Sequence, residues 1–161
     1  MNELEFQFPA VAITLDRLRS ALGHVPAAPG FARCLDRLGF KPARGFIKGY
    51  IDLVFEADGA FFIVDWKSNW LGNSLEDYSP PRLQAIMSEK FYVLQYHLYT
   101  VALHLYLSRR QPGYDYDRHF GGICYLFVRG CDPERPELGV FRDRPPRQTI
   151  ERLTHTLLGT P

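Results

Sequence analysis

Two aspartates and one lysine form the most informative chemical pattern in the sequence. Asp52 and Asp65 stand in apolar, strand-like segments of GYIDLVFEADGAFFIVDWKSN (residues 49–69), and Lys67 follows two residues after the second aspartate. A carboxylate in such a segment is costly unless it is paired, hydrogen-bonded or bound to a metal ion. Mg²⁺ is held by one or two carboxylates with water and a substrate phosphate, and its bound water attacks phosphorus. The pattern predicts metal-dependent phosphoester chemistry in which Lys67 positions or deprotonates that water.

A structural interpretation of the same residues also stands. Asp52 and Lys67 would then form an ion pair across two strands, and Asp65 would cap a turn. Two acids on the apolar strands of one hairpin favour the functional interpretation, because they fall near one another and Asp65 shares a strand face with Lys67.

A second polar pair lies downstream of these acids. Gln95 and Tyr99 are four residues apart and therefore share one face of a predicted helix. Their amide and phenol groups are suited to contact a metal-bound phosphate or a nucleic-acid backbone. The structural alternative is that Tyr99 is an ordinary residue of the core.

The elements that must position these residues follow from the spacing of apolar residues. Residues 46–55 and 60–66 predict a β-hairpin around Asp58-Gly59. Residues 82–109 have helical spacing and predict one long helix. Elsewhere the pattern predicts a strand at 4–13, a helix at 15–22, a connector with one helical turn near 32–38, a central strand at 120–130, a polar, irregular tail at 132–148 and a closing helix at 149–158. Strands flanked by helices indicate one domain over residues 1–161, of α/β or α+β class.

Composition narrows the class of protein. A chain of 161 residues that is 46% hydrophobic suits one globular domain with a real core. Its three cysteines show no zinc-ligand spacing and predict reduced thiols in an intracellular protein. The N-terminus does not resemble a signal peptide and no segment has the length of a membrane span, so we expect a soluble, cytoplasmic protein. No GxxxxGK[ST] motif for ATP use occurs.

Five segments in order carry a resemblance to a known family. KGYIDLVF, DWKSNWLG, LQYHLYTVALHLYL, YDYDRHFGG and YLFVRG resemble the RecB branch of the PD-(D/E)xK nuclease superfamily, over nearly the whole chain. Each motif is degenerate on its own, but five of them in the same order are specific for this branch. The resemblance implies an α/β fold with a restriction-endonuclease-like core, in which helices flank a central mixed β-sheet.

The resemblance also implies roles for particular residues. Asp52 and Asp65 match the metal-binding aspartates, the main-chain carbonyl of Trp66 is implied as a further metal ligand, and Lys67 matches the catalytic lysine. The implied cofactor is Mg²⁺, with Ca²⁺ or Mn²⁺ as substitutes.

Other positions match more loosely. Gln95 and Tyr99 match the glutamine–tyrosine motif of the branch. An upstream acidic metal ligand falls on the segment ELEF, where Glu3 is the better match and Glu5 the alternative.

The implied activity is exonuclease or endonuclease hydrolysis of DNA in double-strand-break repair and DNA degradation. The implied partners are single-stranded DNA, the helicase part of a RecB-type subunit, and RecC- and RecD-like subunits, with no membrane. Two departures accompany the match: Ile51 stands where the superfamily name has proline, and the metal-ligand histidine of an upstream helix has no counterpart. We therefore expect a fragment that lacks this core helix. The alternative function is a weak or inactive fragment that serves as a structural or docking module.

Overall fold

The computed structural model describes residues 2–11, 13–39 and 45–159, and within these ranges it contains five strands and six α-helices. The strands are β1 (Asn2–Ala10), β2 (Gly45–Ala57), β3 (Ala60–Lys67), β4 (Phe120–Phe127) and β5 (Val140–Asp143). The helices are α1 (Leu15–Leu22), α2 (Phe31–Cys34), α3 (Pro80–Glu89), α4 (Tyr92–Arg110), α5 (Tyr116–His119) and α6 (Arg147–Leu158). Short 3-10 turns, Leu35–Arg37 and Leu75–Tyr78, follow α2 and precede α3.

The strands form one mixed sheet in the order β1-β2-β3-β4-β5. Only the pair β3–β4 is parallel, and the other three pairs are antiparallel. The chain between β3 and β4 contains α3, α4 and α5, as a parallel connection requires a long crossover. The predicted mixed sheet with flanking helices is confirmed. The strand predicted to be central, β4, is an inner strand between β3 and β5, while β3 occupies the middle of the sheet.

The hairpin that carries the acids is present as predicted. Its turn places Asp58 and Gly59 at φ values of 52° and 78°. Two successive residues with positive φ match the twist of the flanking strands, which is why Asp-Gly favours such tight turns. The ladder between β2 and β3 runs from Ala57↔Ala60 to Leu53↔Val64.

The prediction of one long helix over 82–109 was wrong. The structure contains α3 and α4 instead, separated at Phe91, which adopts a left-handed φ of 57°. The side chain of Phe91 packs against the hydrophobic core. The break allows each helix to bury its own apolar residues, among them Met87 of α3 and Val93 of α4. No glycine marks the break, so helical spacing alone conceals it.

The tail predicted to be irregular also contains a strand. Val140–Asp143 forms β5, which pairs with β4 through Tyr125↔Phe141 and three neighbouring pairs. Asp143 accepts a hydrogen bond of 2.7 Å from the hydroxyl of Tyr96. Four residues between prolines and charged residues are too few to show a strand period in the sequence.

The sheet has one face in the core and one outside it. Ile63, Tyr125 and Phe127 contribute to the core, together with buried residues of all six helices. Asp65 and Lys67 alternate in phase with Ile63 along β3 and thus lie on the face that α4 covers.

A buried histidine gives the first testable prediction. His97 of α4 is 1% exposed, its Nδ1 lies 2.8 Å from the carbonyl oxygen of Val93, and burial lowers its pKa from 6.5 to about 4. At pH values between about 4 and 6.5, the unfolded chain therefore binds more protons at His97 than the folded chain does. The stability that neutral His97 contributes is therefore present above pH 6.5 and is lost as the pH falls, by about 3 kcal/mol in total.

Denaturant unfolding of the wild type and His97→Asn near neutral pH and near pH 4 measures this contribution. Asparagine retains an N–H donor for Val93 but does not titrate, so we expect a flatter pH dependence in the variant. His24→Asn, at an exposed histidine, is the control and should behave as the wild type. Equal pH dependence in His97→Asn and the wild type would contradict the prediction.

Candidate active site

Asp65 and Lys67 form an ion pair at the end of β3. The ammonium nitrogen of Lys67 lies 2.6 Å from Oδ2 of Asp65. The side chain of Lys67 is 13% exposed and that of Asp65 is 3% exposed. Their shared strand face follows from the two-residue spacing. The structure therefore brings together the two residues that the D-x-K pattern singled out.

Asp52 joins this pair from the neighbouring strand. It lies one residue beyond the last ladder pair, Leu53↔Val64, and its Oδ2 accepts a hydrogen bond of 2.9 Å from the backbone N–H of Trp66. The alternative in which Asp52 pairs with Lys67 was wrong, because Lys67 pairs with Asp65. Asp52 also influences Asp65 electrostatically, as its charge raises the pKa of that carboxyl.

The environment of Asp65 disfavours its charged form. Burial is the main cause that raises its pKa, the charge of Asp52 adds to it, and the ammonium of Lys67 opposes both. Its Oδ2 is buried, and despite the ion pair it accepts no hydrogen bond of good geometry from the part of the chain that the structure describes. The buried carboxylate of Asp65 and the neighbouring carboxylate of Asp52 are oxygen donors of the kind that a hard divalent cation such as Mg²⁺ prefers.

Gln95 connects the helix α4 to this ion pair. Its Oε1 accepts hydrogen bonds of 3.0 Å from the ammonium of Lys67 and 3.0 Å from the hydroxyl of Tyr125. Its Nε2 donates a hydrogen bond of 2.8 Å to the hydroxyl oxygen of Tyr99. Thus the four-residue spacing of Gln95 and Tyr99 does place them on the side of α4 that faces the acids.

Tyr99 remains a hydrogen-bond donor at neutral pH. Burial, followed by the charges of Asp65 and Asp52, raises the pKa of its hydroxyl. Since Gln95 donates to the oxygen of Tyr99, the phenolic proton is free to be donated elsewhere. A phosphate oxygen is one acceptor that such a group can bind.

Two tyrosines of the site were missed in the sequence. The ammonium of Lys67 lies 4.2 Å from the ring centroid of Tyr92 and 5.1 Å from that of Tyr125. Tyr92 could have been found, because it precedes Gln95 by three residues and thus lies on the same helix face. Tyr125 could not, since its place beside Asp65 depends on the parallel register between β3 and β4.

The predicted acidic ligand lies on β1, at the register position opposite Asp52 of β2. Glu3 is exposed, has a left-handed φ of 52°, and stands between the pairs Asn2↔Leu53 and Leu4↔Ile51. Glu5, the alternative, forms an ion pair of 2.7 Å with Lys48. Among the described residues, no group of three or more His, Cys, Asp or Glu is placed to hold a metal ion. The assignments of Glu3 and of the Trp66 carbonyl stay predictions.

A mixed sheet with flanking helices is consistent with a restriction-endonuclease-like fold. The chain is 49% identical over 122 residues to the RecBCD enzyme subunit RecB of Escherichia coli, and 47% identical over 118 residues to that of Haemophilus influenzae. These alignments cover 76% and 73% of the chain, respectively. RecB of Mycolicibacterium smegmatis is 37% identical over an alignment of 180 residues that includes 96% of the chain.

The chain is therefore a homologue of a segment of RecB. It spans 10% of the length of the Escherichia coli and Haemophilus influenzae relatives and 17% of that of the Mycolicibacterium smegmatis relative. No family model matches the chain. Within the described ranges, no helix is both long and apolar enough to cross a membrane.

Proposed function

We propose that this chain is a Mg²⁺-dependent deoxyribonuclease domain that hydrolyses phosphodiester bonds of single-stranded DNA. The observation that carries the proposal is the pairing of Lys67 with the buried carboxylate of Asp65, beside Asp52. An ordinary structural ion pair does not require a second carboxylate that raises the pKa of the first. Two acids and one ammonium group are instead the set that metal-assisted attack on a phosphodiester needs.

Each residue has a role that its contacts support. Asp52 and Asp65 would hold Mg²⁺, which when bound offsets the charge of the phosphate and supplies an activated water. Asp52 would bind Mg²⁺ through Oδ1, because its Oδ2 accepts the hydrogen bond from the backbone N–H of Trp66. As an ammonium group, Lys67 would donate a hydrogen bond to the attacking water and stabilise charge on the phosphate; it could accept the proton of that water only after losing one of its own. Tyr99 would donate a hydrogen bond to the DNA backbone.

The homology suggests the setting in which this activity operates. The relatives are named as RecB subunits of the RecBCD enzyme, which agrees with a role in DNA repair and recombination. We propose that the domain acts in DNA degradation and double-strand-break repair in the cytoplasm. There it would assemble with RecB helicase segments and with RecC- and RecD-like subunits.

One observation favours a second candidate function. The described part of the chain offers only two carboxylates at the site and no third metal-ligating side chain beside them. A site with few ligands binds Mg²⁺ weakly and keeps several waters. The second candidate is accordingly a catalytically weak module with a structural or docking role.

A cleavage assay with and without free metal ion tests the proposal. The purified chain is incubated with end-labelled single-stranded DNA in Mg²⁺, in Mn²⁺, and in excess EDTA. We expect cleavage with either metal ion and none in EDTA, since the acids cannot activate water without a cation. Calorimetric titration with Mg²⁺ and Ca²⁺ in the absence of DNA measures metal binding separately. Metal binding without cleavage would favour the docking module, and cleavage in EDTA would contradict the metal mechanism.

A further inference from the structure

We propose that Tyr125 is a positioning residue of this site, which orients the side-chain amide of Gln95 and through it the ammonium group of Lys67. The inference rests on the proposed nuclease function but concerns a residue of β4 that need not contact substrate. It follows from the direction of three hydrogen bonds and from the burial of one ring.

The orientation of the Gln95 amide is determined by its partners. Lys67 can only donate hydrogen bonds, so the amide oxygen must face it, at 3.0 Å. The hydroxyl of Tyr125 donates to the same oxygen at 3.0 Å, and the amide nitrogen faces Tyr99 at 2.8 Å. A flipped amide would place its N–H groups against the ammonium of Lys67. Tyr125 therefore adds a second donor that favours the productive orientation.

Tyr125 is held more firmly than the residues that it contacts. Its side chain is 0% exposed, and its backbone pairs with that of Asp65 in the parallel ladder. Its ring packs against Tyr92 and Tyr96, at centroid distances of 6.0 Å and 6.1 Å. The sheet and the core thus fix the hydroxyl of Tyr125, whereas Gln95 is a flexible, half-buried side chain.

The ammonium of Lys67 is in contact with three groups. Asp65 Oδ2 lies 2.6 Å away, Gln95 Oε1 lies 3.0 Å away, and the ring centroid of Tyr92 lies 4.2 Å away. If Gln95 turned away, the strong attraction of Asp65 would dominate the position of the ammonium. Displacement of a catalytic group by about 1 Å can lower a rate by up to about 100-fold.

Tyr125→Phe removes the hydroxyl but retains the ring. We expect kcat for Mg²⁺-dependent cleavage to fall about tenfold with KM within about twofold, because DNA binding does not use this hydroxyl. Tyr116→Phe is the matched control, since Tyr116 is also buried and its hydroxyl donates to the backbone carbonyl oxygen of Pro145 and not to Gln95. It should leave kcat within about twofold of the wild type.

A double-mutant cycle separates positioning from a structural effect. If Tyr125 acts through Gln95, Tyr125→Phe should have no further effect on kcat in the Gln95→Ala background. Additive losses in the double variant, or an unchanged kcat in Tyr125→Phe, would overturn the inference.

A spectroscopic readout keeps the inference separate from the nuclease assignment. The two amide protons of Gln95 are expected to give well-separated NMR signals in the wild type and in the control Tyr116→Phe. In Tyr125→Phe they should approach each other as the amide gains motion. If the wild type does not cleave DNA, the proposed function fails while this result still decides the positioning role. Unchanged Gln95 signals in Tyr125→Phe would overturn it.

Discussion

Lys67→Met is expected to lower the rate of Mg²⁺-dependent DNA cleavage by about 1000-fold, which is the order expected when a proton-transfer and charge-stabilising group is lost. Methionine has a similar length and packs against the rings of Tyr92 and Tyr125, but it carries no charge. The ammonium it replaces is the only cationic group within 2.6 Å of the Asp65 carboxylate among the described residues. Single-turnover cleavage of a labelled oligonucleotide in excess Mg²⁺ measures the loss.

Lys48→Met is the matched control for this experiment. Lys48 is also a lysine of the sheet, but it is exposed and pairs with Glu5. We expect its cleavage rate to stay close to that of the wild type. A Lys67→Met variant that retained cleavage within tenfold of the control would exclude a catalytic role for this lysine.

Asp65→Asn distinguishes the role of the acid from that of the lysine. It should abolish cleavage as well, but it should also weaken Mg²⁺ binding in calorimetric titration, since a carboxylate oxygen is a far better Mg²⁺ ligand than an amide. Lys67→Met should retain metal binding. If both variants bound Mg²⁺ as the wild type does, Asp65 would not be a metal ligand.

Local rules correctly predicted how Asp52, Asp65 and Lys67 are placed relative to one another. The two-residue spacing of Asp65 and Lys67 requires a shared strand face. The turn at Asp58-Gly59 sets the hairpin register and so brings Asp52 near Asp65. These features depend on residues fewer than 20 apart, for which sequence patterns carry direct geometric meaning.

Long-range features of the site could not be predicted. The register between β3 and β4 joins segments separated by three helices, and it alone places Tyr125 beside Asp65. Lys67 pairs with Asp65, whereas Asp52 accepts a hydrogen bond from the backbone N–H of Trp66 on the neighbouring strand. The break at Phe91 depends on how this side chain packs in the core. Each of these outcomes is decided by tertiary contacts rather than by local preference.

The ion pair of Asp65 and Lys67 is expected to contribute little net stability, although breaking it is costly. Both groups lose solvation on folding, and burial raises the pKa of Asp65 despite the nearby ammonium. A buried pair of this kind can be replaced by apolar residues at little cost, whereas removal of one partner leaves a buried charge without compensation. A site under selection for stability alone would not require this pair.

A stability cycle on Asp65 and Lys67 tests this expectation. In Lys67→Met the buried carboxylate loses its counter-charge, so we expect the free energy of unfolding to fall by about 3 kcal/mol. Asp65→Leu should cost less, because Lys67 keeps its hydrogen bond to Gln95 and its contact with the Tyr92 ring. The double variant Asp65→Leu/Lys67→Met should return to within about 1 kcal/mol of the wild type, since neither charge remains buried.

Denaturant unfolding near neutral pH measures the free energy of unfolding of the wild type, the two single variants and the double variant. EDTA is present so that no metal ion binds the carboxylates. In Lys67→Met, the folded state should bind a proton at Asp65 more readily than the unfolded state does, because burial raises the pKa of Asp65 and the opposing ammonium is gone. Its free energy of unfolding should therefore rise relative to that of the double variant as the pH is lowered toward the pKa of this carboxyl. If the loss in free energy of unfolding of the double variant equalled the sum of the losses of the two single variants, the two groups would not act as a buried pair. Asp65 would then be stabilised by contacts other than Lys67.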